Sequence, residues 1–147
     1  MSDNEEEIIK HKEMESKFNF NTVGLFTTDN ESMVAFYRDI MGFTTDWNGK
    51  DPNVMMRLGN MWLIMFPRTA FEQMTSREYT YPQGLNGTVE LAFHVPTFKD
   101  VDEEYARVTA LGAKPIFAPQ TMPWGQRTCY IADPEGNLIE IHSFTKE

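Results

Sequence analysis

The chain holds a single cysteine, Cys129, among its 147 residues. A lone thiol excludes an intrachain disulfide framework. Long apolar runs are missing as well: none approaches the ~20 residues of a membrane-spanning helix. The first residues, "MSDNEEEIIKHKEMESK", are acidic and lack the apolar core of a signal peptide. Positive charge is in deficit, with 13 Lys and Arg against 22 Asp and Glu and a net charge of −9. That balance disfavours a nucleic-acid backbone or an anionic membrane as partner. These absences predict a soluble, cytoplasmic protein. What remains is the material of a core. Hydrophobic residues make up 41% and aromatic residues 13% of the chain. A single domain of this size buries about 70% of its unfolded surface.

Residues 1–17 form a charged arm in which Ser2 or Asp3 is placed to cap a short helix. No catalytic role is assigned to it, His11 included. From Phe18 the pattern becomes regular. "FNFNTVGLFTTD" reads as a strand, and "ESMVAFYRDIMGF" as a helix, with Met33, Phe36, Tyr37, Ile40 and Met41 at helical spacing and Gly42 as its stop. "FTTDW", "VMMRLG" and "MWLIMF" follow as strands. The order then repeats. "TVELAFHV" is a strand, "DVDEEYARVTALGA" a helix, and "KPIFAP", "RTCYIA" and "NLIEIHSF" are strands, the last two joined by the turn "DPEGN". Even spellings recur, "TVGL" against "TVEL" and "LGNMWLIM" against "EGNLIEIH". Internal repetition is a strong organisational signal. It predicts an α+β fold of two βαβββ modules, about 18–66 and 88–144, joined by a polar linker over 67–87.

The segments "MVAFYRDIMGF", "DVDEEYARVTALGA" and "PWGQRTCYIADPEGNLIEIHSF", with the repeat itself, resemble the vicinal oxygen chelate superfamily: glyoxalase I, bleomycin-resistance proteins, extradiol dioxygenases and fosfomycin-resistance enzymes. The resemblance spans residues 18–144. It implies mixed sheets curled into an open, cup-like barrel with helices outside, a small molecule bound in the cup, and a homodimer.

The resemblance also gives Glu140 a reason to sit in an apolar strand. The family's last strand normally carries a glutamate there, directed into the cup and binding a divalent metal, with a second ligand on the first strand of the second module, where Glu90 stands. Aligning the two first strands sets Gly24 opposite Glu90 through "TV-L", or Thr22 through the helix-ending glycines. Aligning Gly59-Asn60 with Gly136-Asn137 sets Leu63 opposite Glu140, with Met65 next on that face. The first module therefore offers only apolar or neutral residues. Glu90 and Glu140 are the candidate catalytic and metal-binding residues, the alternative being glutamates that face solvent. Two carboxylates suit a weakly bound Mg²⁺ or Mn²⁺ better than zinc, which wants about three protein ligands. His142 faces the same way as Glu140, ~7 Å along the strand, and is the possible further metal ligand; His94 lies ~13 Å from Glu90, too far to share one site. Extradiol chemistry, which needs two histidines and a carboxylate on iron, is disfavoured.

Further candidate ligand-binding residues are Trp124, Arg127, Tyr130, His94 and Thr22. Trp124 and Arg127 sit where they can stack on a planar ligand and bind an anion, or pack the module junction and pair with an acidic neighbour. Tyr130 either lines the cavity or belongs to the core. Cys129 reads as inert. Three function classes follow. One is a small-molecule binder with metal-assisted isomerase or lyase chemistry at a carbonyl. The second is a metal-free sequestering protein. The third is a dimerisation scaffold, which leaves inward carboxylates unexplained.

Overall fold

A computed structural model describes residues 16–147. The candidate helix of the charged arm and His11 lie outside the described residues. Strand β1 (Thr22–Thr27) leads into helix α1 (Asn30–Ala35). Asp29 caps α1 by accepting hydrogen bonds from the Ser32 amide at 3.2 Å and the Ser32 hydroxyl at 2.6 Å. The helix widens into a π turn over Phe36–Ile40, closed by the Met41 amide on the Phe36 carbonyl at 3.1 Å. Gly42, at φ +87°, ends it. Strands β2 (Val54–Leu58) and β3 (Met61–Pro67), then helix α2 (Arg68–Thr75), complete the first half.

The second half runs β4 (Asn86–His94), α3 (Phe98–Ala110), β5 (Lys114–Thr121), β6 (Arg127–Ala132) and β7 (Asn137–Ser143). A capping box fixes the start of α3: the Thr97 amide donates to Asp100 at 2.9 Å, and the Asp100 amide returns to the Thr97 hydroxyl at 3.3 Å. The strands form two sheets, in the orders β1-β3-β2 and β4-β7-β6-β5. In each, the first strand of the module pairs in parallel with the last. The fold is α+β, with mixed sheets that do not close into a barrel.

One expected strand is absent. "FTTDW" makes a single bridge, Thr44 with Arg57. Side chains then take over the roles of ladder partners. The Thr45 hydroxyl donates to the Met55 carbonyl at 2.7 Å, and Asn48 Oδ1 accepts from the Lys50 and Asp51 amides. This local turn bonding competes with pairing. The linker also differs from expectation, since residues 68–75 are helical and β4 begins at Asn86.

Both sheets turn one face to a common core. Leu63, Met65 and Val54 meet Met33, Phe36 and Tyr37 from the first module; Ile139, Ile141 and Cys129 meet Val101 and Val108 from the second. Between the modules, the Tyr37 hydroxyl donates to buried Asp133 at 2.7 Å. Glu135 accepts from the Thr28 amide and hydroxyl, both at 2.8 Å. The other face of each sheet is left open.

Candidate functional site

Side chains alternate across a strand, so the ladder decides what faces the open side of the second sheet. Glu140 lies opposite Tyr130 on β6 and Ala92 on β4; Thr128 lies opposite His142, and Glu90 opposite Leu138. Thr128, Tyr130, Glu140 and Glu90 therefore share one face. Cys129, Ile131, Ile139 and Ile141 take the other and enter the core.

Glu140 is 6% exposed. A carboxylate at that depth needs partners, and it has them. The Thr128 hydroxyl donates to Oε2 at 2.7 Å, the Tyr130 hydroxyl at 3.1 Å and Gln126 Nε2 at 3.4 Å. Among the described residues every one of these bonds lands on Oε2. Gln126 is itself oriented by Trp124, whose indole N–H donates to Gln126 Oε1 at 2.8 Å. Burial, and then the Glu140 and Glu90 carboxylates, push the Tyr130 phenol well above its ordinary range. It stays protonated as the donor to Glu140.

Above this network lies a cavity of about 410 Å³. Glu90, Thr128 and Tyr130 supply its polar lining, and Trp124, Phe117 and Leu138 are among its apolar walls. Trp124 sits on the β5–β6 turn, 65% exposed, at the rim. Glu90 also borders a second cavity of about 270 Å³ at the seam between the modules, where Trp62 and Phe43 lie.

The other sequence candidates lie elsewhere. Arg127 is on the core-side face of β6, opposite Ser143. Its guanidinium reaches Asp102 of α3 at 2.8 Å and the Thr121 hydroxyl at 2.9 Å. Thr22 stands on β1 of the other sheet, opposite Trp62, with its hydroxyl donating to Asn21 at 2.8 Å. His94 stacks edge-on against His142, with ring centroids 5.7 Å apart. His142 Nδ1 is buried without a protein partner among the described residues. Cys129 is fully buried, and burial pushes its thiol up to about 12. Sequence reasoning passed over Thr128. Alternation in "RTCYIA" already puts Thr128 beside Tyr130 on one face, and was the available signal for it.

The repeat alignment also requires a correction. Leu63, at 3% exposure, and Met65 point into the core. Thr22 pairs with Trp62 and Gly24 with Ile64 on the open face. The counterpart of Glu140 is therefore Ile64 or Phe66, depending on which first-strand residue matches Glu90. The first module still places an apolar side chain there.

A divalent metal fits this donor set poorly. Among the described residues, no three His, Cys, Asp or Glu side chains gather where an ion could be held. Oε2 of Glu140 is already occupied by hydroxyl and amide donors, and the open face of the first sheet offers Gly24, Trp62 and Ile64. Zinc or iron would need about three protein ligands, so no reaction step is built on one.

Residues 19–141 match the model of the Glyoxalase/Bleomycin resistance protein/Dioxygenase superfamily. The chain belongs to that superfamily. Solved structures agree at the level of fold. A glyoxalase/bleomycin resistance protein/dioxygenase from Nocardioides is similar with a TM-score of 0.76 at 22% identity, over 95% of this chain and 93% of that one. A family enzyme from Burkholderia phytofirmans PsJN gives 0.74 at 26% identity, over 86% and 99%. A lactoylglutathione lyase from Agrobacterium tumefaciens gives 0.69 at 24% identity, over 87% and 95%. No curated protein sequence matches the chain. Among the described residues, no helix is long and apolar enough to cross a membrane.

Proposed function

We propose that this protein binds a small organic molecule in the cavity over Glu140, as a sequestering protein of the glyoxalase and bleomycin-resistance type. One observation carries the reading. A cavity of about 410 Å³ combines apolar and aromatic walls with a few fixed polar groups, which is the usual form of a small-molecule site. Glu140, Glu90, Trp124 and Tyr130 are the residues assigned to it. Arg127, Thr22 and His94 are left outside it: Arg127 pairs with Asp102 of α3, Thr22 belongs to the other sheet and bonds Asn21, and His94 packs on His142.

Metal-assisted isomerase or lyase chemistry at a carbonyl is the second reading. It is favoured by one feature, the Oε1 atom of Glu140, which takes none of the three protein donors. It is weakened by another: no Lys, Arg or His lines the cavity to polarise a carbonyl. The protein is proposed to act as a homodimer in the cytoplasm. Met55, Phe26, Val89 and Phe20 are apolar yet exposed, and a second copy would cover such surface.

Thermal-shift screening of a chemically diverse library tests binding. Compounds that raise the melting temperature of the native chain, and fail to do so when Leu138→Trp fills the cavity, support the reading. Compounds that act equally on both proteins place the site elsewhere. Light scattering that shows a monomer at micromolar concentration removes the dimer.

A further inference from the structure

Two histidines of the second sheet line no part of the 410 Å³ cavity and give no hydrogen bond to Glu140 among the described residues. Read along the chain, His142 belongs with Glu140 and His94 with Glu90. The ladder sets them opposite each other instead. His94 of β4 pairs with His142 of β7, two residues beyond the Ala92–Glu140 pair. Opposed residues of neighbouring strands point to the same side of a sheet, and here the two rings meet, with centroids 5.7 Å apart and planes at 77°. His142 is held from its other side by Phe144, edge-on at 5.7 Å and 86°. Its Nδ1 is buried and bonds to no protein group among the described residues. Buried polar atoms are nearly always bonded, so this nitrogen stands out. His94 is exposed, which leaves the pair a route to solvent.

Neutral imidazoles offer lone pairs that suit copper, nickel and zinc, whereas magnesium and manganese prefer oxygen. Spacing decides whether two of them can share one ion. With metal–nitrogen bonds of about 2.0–2.1 Å, two imidazoles on one ion set their ring centroids roughly 4.5–6.5 Å apart, according to the angle at the metal. The pair already stands inside that range. Rotation of the side chains, with no movement of the strands, is enough to aim one nitrogen of each ring at a common point. Charge favours a cation there as well. The chain carries a net charge of −9, and the Glu140 carboxylate lies two residues back on the same face.

We propose that His94 and His142 form a two-histidine site for a divalent transition ion, separate from the carboxylates Glu90 and Glu140. Cu²⁺ is the ion it should hold best, because Cu²⁺ heads the affinity order of divalent ions at nitrogen sites. Two protein ligands leave the remaining positions to water, so binding is reversible and a chelator strips it, unlike a closed four-ligand zinc site. The site stands or falls independently of what the cavity binds.

Titration of Cu²⁺ into the full chain at neutral pH, followed by electron paramagnetic resonance, tests this. The chain has three histidines, His11, His94 and His142, so three single substitutions separate the sources of nitrogen. The native spectrum is expected to show coupling to two imidazole nitrogens. His94→Ala and His142→Gln should each leave at most one and weaken Cu²⁺ binding about tenfold or more, since even loss of a residue that only supports a metal ligand costs that much. His11→Ala should change neither signal nor affinity. Mn²⁺, which prefers oxygen, should bind the native chain and His94→Ala alike. His94 is exposed, so His94→Ala keeps the fold and decides the matter even where His142→Gln does not fold. A two-nitrogen signal that survives His94→Ala, or one lost in His11→Ala, would overturn the site. A native spectrum without two coupled nitrogens would overturn it too, and would reduce the pair to a packing contact between strands.

Discussion

The two modules are built on one plan and differ on one face. In each, the first strand runs parallel to the last and a middle strand runs antiparallel to it: β1-β3-β2 in one, β4-β7-β6 in the other. On the core side they match in character, Leu63 and Met65 against Ile139 and Ile141. On the open side they part. The first module shows Gly24, Phe26, Trp62, Ile64 and Phe66, where the second shows Glu90, Ala92, Leu138 and Glu140. Both sheets must seal the same core, so that face has no freedom to vary. The open face carries no such duty and can become an apolar surface in one module and an acidic site in the other.

The largest expected break in this symmetry lies in the matching turns. Gly136 and Gly59 both have positive φ, +90° and +58°. A Cβ on Gly136 would sit 2.0 Å from the Gly84 carbonyl oxygen, whereas one on Gly59 meets nothing within 4 Å. Gly136→Ala should therefore cost about 3 kcal/mol, strain plus a displaced backbone, and Gly59→Ala only about 1 kcal/mol. Urea unfolding of both variants checks the ratio. Similar losses would show that the 84–86 segment yields freely.

The open faces come next. Glu140→Leu leaves Thr128, Tyr130 and Gln126 without their acceptor and should destabilise by about 1–3 kcal/mol. Glu140→Gln keeps an acceptor oxygen and should lose less. On the first module's open face, Ile64→Ala removes only partly buried apolar area, for about 1 kcal/mol or under. A neutral Glu140→Leu would mean that water satisfies those donors.

Alkaline pH sharpens the same contrast. Burial first, then Asp133, raises the Tyr37 phenol well above its ordinary value of 10.0, and burial followed by Glu140 and Glu90 raises Tyr130. Cys129 rises from 9.0 to about 12. In each case the unfolded chain releases its proton first, so stability is full below about pH 9 and falls as pH climbs. Denaturation midpoints measured across that range should decline, and Tyr37→Phe should flatten the decline.

The smallest effect concerns metal. Two carboxylates and no first-module ligand should hold Mg²⁺ or Mn²⁺ only weakly, with dissociation constants of about a millimolar, and Glu140→Gln should weaken the binding further. Electron paramagnetic resonance of added Mn²⁺ measures both. Zinc or iron retained stoichiometrically through chelator dialysis would restore the catalytic reading.

Much of the fold was legible because the signals are local. Met33, Phe36 and Tyr37 recur at helical spacing, Gly42 and Gly112 stop their helices, and the "DPEGN" turn links two apolar strands. The missed strand at "FTTDW" was lost because Thr45 and Asn48 bond their own neighbourhood, which an apolar-alternation pattern does not register. The Leu63 alignment failed by one residue, and a slip of one reverses every side chain in a strand.

By itself the sequence determined the duplicated module, the acidic character and the presence of Glu90 and Glu140 on one strand face each, since periodicity and charge are properties of the chain. Tertiary structure alone decided what those carboxylates meet. That Glu140 takes the protons of Thr128, Tyr130 and Gln126, and that Arg127 turns away to Asp102, depends on ladder register and on a helix 25 residues away from Arg127 in sequence. No local pattern encodes such meetings, because they are fixed only when the sheets pack.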